Sequence, residues 1–180
     1  MVGAGDDGLR GLGKQLTETV FTGYSEARGS ATVLGLLREG QAVERLAEGQ
    51  SGSVVLDTTP FYAEGGGQVG DAGKLEWPGG RALVSSTSKS DAGLYLHAVR
   101  VVRGELLSGQ EVTATVDPAR LETRKHHSAT HLLHAALREV LGEHVNQAGS
   151  LVTADRLRFD VSQPAALTRE QISSVERKVN

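Results

Sequence analysis

Between residues 31 and 116 the hydrophobic positions come in short bursts rather than at a helical spacing. The runs "ATVLGLL", "SVVLD", "RALVSS", "LYLHAVRVV" and "EVTATV" are rich in β-branched and aliphatic residues. Between them lie "EGQ", "EGGGQVGDAG", "WPGG" and "SKSDAG", whose Gly, Asp, Ser and Pro supply turn chemistry. Short strands at such intervals predict a small antiparallel barrel. After Asp117-Pro118 the period changes. Residues 126–141 predict an amphipathic helix, followed by strands at "GSLVT" and "LRFDV" and by a second helix. That second helix opens on Thr168 with Gln171 three positions on, the pattern of a capping box. Its stripe of Ile172, Val175 and Val179 still runs at Asn180 with no Gly or Pro stop signal, so the chain reads as a piece of a longer protein. The division expected is therefore a poorly patterned segment over 1–20, a barrel over 21–118 and an α/β module over 119–180, an α+β chain.

Composition narrows the classes. Hydrophobic residues make up 38% and charged residues 23%, the balance of a globular chain rather than a disordered one. No apolar run approaches the roughly 20 residues needed to span a bilayer, so no membrane partner is expected. The absence of cysteine excludes a disulfide scaffold and makes a cytoplasmic location the default expectation. A formal charge of −3 argues against coating nucleic acid by charge alone, but leaves room for a local basic patch at Arg120, Arg124 and Lys125. The "GAGDDG" near the start matches a dinucleotide fingerprint at Gly3, Gly5 and Gly8; only Met1 and Val2 precede it, too little for the strand that fingerprint requires.

Two stretches carry candidate chemistry. "RKHHSATHLLH" holds four of the six histidines. At about 100° per residue His127, His131 and His134 fall within about 60° of one another, while Ala129, Leu132, Leu133, Ala136, Leu137 and Val140 are placed on an opposite, core-facing side. Imidazoles at i and i+4 can both reach one metal at about 2.0–2.1 Å, although the same spacing suits a solvated polar face. Ser128 rather than Glu follows His127, which removes the built-in base of a zinc protease. His126 is out of line and reads as a surface or capping residue. The second stretch is "TTPFYAEGGGQVGDAG", where Gly65, Gly66 and Gly67 allow close backbone approach or positive φ; a plain hairpin loop is the alternative. No Lys-Ser/Thr follows it, so it is not a phosphate-cradling P-loop.

Taken in order, "TPFYAEGGGQVGDAG", "HSATHLLHAAL", "HVNQAGSLV" and "LRFD" resemble the editing region of the alanyl-tRNA synthetase family and its free-standing deacylating relatives. The resemblance covers roughly residues 21–180. It implies a translation-protein-like β-barrel followed by the first part of an α/β editing module of the threonyl/alanyl-tRNA synthetase type. It implies hydrolysis of the ester that joins serine or glycine to tRNA(Ala), with the mischarged 3′ end and the remainder of the synthetase chain as partners. A pocket built for alanine cannot exclude glycine by size, and rejecting one added hydroxyl yields only about a hundredfold, so a second, hydrolytic site is needed.

Residue by residue, the resemblance makes His127 and His131 the first two zinc ligands. The remaining pair comes from a downstream Cys-x-x-x-His segment that this sequence does not contain. It places Gln147 in the editing pocket and Thr59 near the substrate amino acid. Gly66, Gly67 and Gln68 fall in a loop approaching the tRNA end, with Arg124 and Lys125 as its basic neighbours, and His134 matches no ligand. ATP and magnesium belong to the family's aminoacylation half. Zinc could activate water or could orient the ester while Gln147 positions the water. A binding module without chemistry is the rival reading, because half of the zinc site is missing. An unrelated zinc hydrolase would need a further ligand, for which only Asp160 and His144 are at hand.

Overall fold

The computed structural model describes residues 18–90 and 93–180. The Gly3, Gly5 and Gly8 match lies outside the described residues. The strands before the first described helix are β1 Val20–Phe21, β2 Arg28–Arg38, β3 Gln41–Val43, β4 Arg45–Ala47, β5 Ser51–Leu56 and β6 Thr58–Thr59. They continue with β7 Gly73–Trp77, β8 Gly80–Lys89, β9 Tyr95–Arg103, β10 Glu105–Leu107 and β11 Glu111–Val116. Helix α1 Arg120–Leu141, the hairpin β12 Gln147–Val152 and β13 Leu157–Val161, and helix α2 Arg169–Val179 complete the order. The chain is α+β. Its contacts divide it into two units: one runs to Gly65 and resumes over Gly70–Asp117, and the other takes Gly66–Val69 with Pro118–Asn180. The glycine-rich loop read as part of the barrel is thus shared between them.

In the first unit β11, β7, β8, β9, β5 and β2 follow one another, and β11 also pairs antiparallel with β2, closing a six-stranded barrel. Strand alternation fills its interior. On β8 Ala82 and Val84 are buried while Leu83 is exposed. A register shift between Val84 and Ser86 then changes the parity and turns Thr87 inward. Val33, Leu36, Leu56, Phe61, Leu75 and Val101 join one core cluster. All five predicted runs are strands. The sequence reading missed β7, since "WPGG" looks like a turn without an obvious strand before it. Packing explains the strand: Leu75 and Trp77 are buried, and at Gly80 a Cβ would meet the Trp77 indole at 2.3 Å.

A histidine lies enclosed in that barrel. His97 is 0% exposed, its Nδ1 is 2.9 Å from the Val54 carbonyl and its Nε2 is 2.7 Å from Thr59 Oγ1. A carbonyl only accepts, so Nδ1 carries the proton and Nε2 accepts from the Thr59 hydroxyl. Thr59 Oγ1 in turn accepts from the Phe61 N–H at 3.2 Å. Burial pushes the imidazole pKa down from 6.5 to about 4, against the raising effect of the Val54 bond. The ring is neutral and fully bonded.

In the second unit Ala136, Leu137, Val145 and Val175 form the buried core, with Leu133, Val140, Phe159 and Val179 packed against it. The capping box is formed: Thr168 accepts from the Gln171 N–H, and the Gln171 side chain accepts from the Thr168 N–H. Helix α1 starts six residues before the predicted 126, and its faces differ from the expected division. Leu132, assigned to the core, is 57% exposed, whereas Thr123 and Thr130 are buried. Residues 123, 130 and 137 repeat every seventh position, so the buried stripe runs along the threonines and reaches the histidine edge. The polar and apolar sides adjoin rather than oppose each other. His126 is also more than a surface residue: its Nδ1–H donates to the Thr153 carbonyl at 2.8 Å and ties the helix to the hairpin turn.

Candidate functional site in the second unit

A small cleft, open to solvent, is lined by His127, His131, Gln147 and Gly66 together with Thr130, His134, Ser150, Val152 and Phe159. Helix geometry supplies one wall. His127, Thr130, His131 and His134 follow at three- and four-residue intervals along a single edge of α1. The hairpin supplies the other, and it does so through an irregularity. Ser150 and Val152 share a face by alternation, and an unbroken strand would turn Gln147 away from them. The pairing slips between Gln147 and Gly149, and this bulge returns Gln147 to the cleft side.

The two histidines converge. Their Nε2 atoms are 3.1 Å apart and their ring centroids 5.0 Å apart. Two nitrogens bound to one tetrahedral metal at about 2.0–2.1 Å would stand about 3.3 Å apart, so the pair already has the spacing of two neighbouring ligands. His127 Nδ1 is buried without a hydrogen-bond partner among the described residues, so none of them fixes that ring's tautomer from behind. Among the described residues no group of three or more His, Cys, Asp or Glu is disposed to hold a metal. Asp160 instead pairs with Arg158 at 3.0 Å, and His144 bonds Gln163 at 2.9 Å.

The glycine loop does two jobs. Gly66 lines the cleft. Gly67 and Gln68 run beside β12: the Gly67 carbonyl accepts from Val152 N–H at 2.8 Å, and Gln68, itself buried, bridges Val152 in parallel. Gly67 has φ 82°, and a Cβ there would meet the Ser150 carbonyl at 2.5 Å, so only glycine fits without displacing the strand. Arg124 is exposed on the turn of α1 before His127 and does not line the cleft. Lys125, also off the cleft, is paired with Glu122 at 2.7 Å. Thr59 belongs to the first unit, where its hydroxyl is taken up by His97 and Phe61.

Sequence reasoning missed Thr130, Ser150, Val152 and Phe159 as cleft residues, and it left His134 without a role. Strand period alone could have found Ser150 and Val152. Phe159 faces Ser150 in the β12–β13 register. The His134 ring packs on Phe159 at 5.2 Å, and its Nε2–H donates to the Val145 carbonyl at 3.3 Å.

Known proteins bear on the chain as a whole. The family model described as tRNA synthetases class II (A) matches residues 6–120. An alanine–tRNA ligase of Thermus thermophilus is 55% identical over 162 residues, which cover 90% of this chain and 18% of the ligase. One from Acetivibrio thermocellus is 50% identical over 177 residues, 98% of this chain and 20% of the ligase. One from Chromohalobacter salexigens is 56% identical over 165 residues, 91% and 19%. The chain spans about a fifth of the length of these curated relatives. No described helix is long and apolar enough to cross a membrane. With the family model matched over well over half of its residues, the chain belongs to the tRNA synthetases class II (A), and within them it is similar to alanine–tRNA ligases.

Proposed function

We propose that this chain is the editing segment of an alanine–tRNA ligase, and that its cleft hydrolyses the ester linking serine or glycine to the 3′ end of tRNA(Ala) in the cytoplasm. The observation that carries the reading is the gathering of Gln147, His127, His131 and Gly66 around one small cleft from three separate stretches of chain. In this reading His127 and His131 would hold zinc with ligands beyond the pair, and bound zinc supplies a Lewis acid beside the ester. Gln147, at the mouth of the hairpin, positions the ester or the attacking water through its amide. Gly66 brings backbone without a side chain to the same space. ATP and magnesium serve the ligase reaction, outside this cleft.

Gln147→Ala in an alanine–tRNA ligase carrying this segment should leave alanine charging intact. Release of serine from tRNA(Ala) should slow about tenfold to a hundredfold, the loss of one positioned polar group. Unchanged deacylation kinetics would remove Gln147 from the site.

A second reading rests on the two-histidine set: a segment that docks on tRNA without chemistry. Two imidazoles leave half of a zinc ion's coordination to water, so the 180-residue chain should bind zinc weakly, and His131→Ala should abolish that binding. Calorimetric titration with zinc, run beside a deacylation assay of the same chain, separates the readings. Hydrolysis of seryl-tRNA(Ala) by the chain would exclude the docking-only reading.

A further inference from the structure

The chain is poor in aromatic residues, with three Phe, three Tyr and one Trp. Phe61 and Trp77 serve the barrel core. All three tyrosines are gathered instead around Phe21, on the first unit. Tyr95 stacks on Phe21 with centroids 5.9 Å apart and planes 10° apart. Tyr24 meets Phe21 edge-on at 5.0 Å, and Tyr62 at 6.4 Å. Core packing does not account for Tyr24, which is 86% exposed while Phe21, Tyr62 and Tyr95 are half-buried.

The cluster is built, not loose. β1 pairs in parallel with β6, setting Phe21 opposite Thr59, and the Thr22 N–H donates to the Thr59 carbonyl at 2.9 Å. The turn that follows passes so close to Pro60 and Phe21 that a Cβ at Gly23 would meet the Pro60 carbonyl at 2.3 Å and the Phe21 ring at 2.5 Å. Glycine there lets Tyr24 fold back onto Phe21. The Tyr62 hydroxyl donates to the Gly65 carbonyl at 3.4 Å, anchoring a third ring. Exposed Lys89 holds its ammonium 5.2 Å from the Tyr95 ring centroid. Glu18 is the acidic group that acts on Tyr95, whose phenol is raised first by burial and then by Tyr24, Tyr62 and Glu18.

The geometry points to a stacking ledge for an unpaired RNA nucleotide, with Tyr24 offering the ring face and Lys89 facing the phosphate. Flat rings carrying hydroxyls suit a base that is apolar on its faces and wet at its edges, and the neighbouring ammonium of Lys89 suits the phosphate that accompanies it. Taking tRNA as the RNA rests on the function proposed above; the ledge itself lies in the other unit from the cleft and needs no hydrolysis.

The test is fluorescence anisotropy of the 180-residue chain with a labelled acceptor-stem minihelix of tRNA(Ala) ending in its unpaired nucleotides, beside the same stem cut blunt. Tyr24→Ala should weaken binding of the overhanging minihelix about tenfold, the loss of one base–ring stack, and leave the blunt stem unchanged. Tyr24→Phe, which keeps the ring, should bind within about twofold of the original chain. Lys89→Gln should weaken the overhanging minihelix about threefold and flatten its salt dependence. Circular dichroism melts of the exposed Tyr24 variants should match the parent. If the parent chain binds neither RNA, the tRNA reading fails. If it binds the minihelix and Tyr24→Ala binds equally well, the ledge is wrong and the tRNA reading stands.

Discussion

His97→Ala should destabilise the first unit by about 3–5 kcal/mol in urea melts at neutral pH, the range of a large side chain removed from a filled core. Two effects add. The imidazole is fully enclosed between Val54, Thr59 and Phe61, and its removal leaves a hole in the barrel. It also removes the acceptor of the Thr59 O–H proton and the imidazole donor to the Val54 carbonyl in a place water does not reach, where an unsatisfied group costs about 1–3 kcal/mol. A pH series isolates the ring itself. Its folded pKa is lowered to about 4 from the ordinary 6.5, so the unfolded chain binds the extra proton between those values. Stability from this group is then complete above about pH 6.5 and is lost as the pH falls toward 4, by about 3 kcal/mol over the window. Comparing parent and His97→Phe across that window removes the carboxylate background. Equal pH slopes for the two proteins would mean that the ring is protonated in the folded state.

On α1 a pair of substitutions separates packing from chemistry. Leu137, 6% exposed in the second unit's core, should lose about 2–5 kcal/mol on truncation to alanine. Leu133, only partly buried against that core, should lose less. His131, exposed on the cleft edge of the same helix, should cost about 0.5 kcal/mol or less as alanine. In a deacylation assay on an alanine–tRNA ligase carrying the segment the order should invert, with His131→Ala silent in the melt and severe in hydrolysis. A His131→Ala chain that unfolds as readily as Leu137→Ala would make the histidine pair structural.

The strands of the barrel were legible because their apolar runs are punctuated by turn residues with little ambiguity. The start of α1 was not, since "RLETRK" carries no apolar stripe and is helical because the chain continues into the packed turns after it. Helical period found the histidine edge but misjudged its neighbours. Leu132 has the wrong azimuth for burial, while Thr123 and Thr130 have the right one despite their hydroxyls; Thr130 returns its own to the His126 carbonyl at 2.9 Å. The convergence of Gln147 on the histidines depends on a single-residue bulge, which no alternation pattern in "NQAGSLV" announces. Gly67 shows the opposite case. Its sequence singled it out, and the close approach of the Ser150 backbone supplies the reason.

Closure of the barrel between β2 and β11 has a consequence for the order of events during synthesis. In the β2–β11 register Thr32 stands opposite Glu111 and Arg28 opposite Thr115, so that edge of β2 stays unsealed until nearly the whole unit has left the ribosome. The β7–β8 and β8–β9 hairpins close over short loops and are available much earlier. Until the last strand arrives, the backbone edge of β2 that β11 will pair is open for any other nascent strand to join. Joining ends so distant in sequence is slow compared with closing a hairpin, which places the barrel among the millisecond-to-second folders. A ribosome stalled with Leu107 newly emerged should therefore hold this unit protease-sensitive, and release past Val116 should protect it in one step.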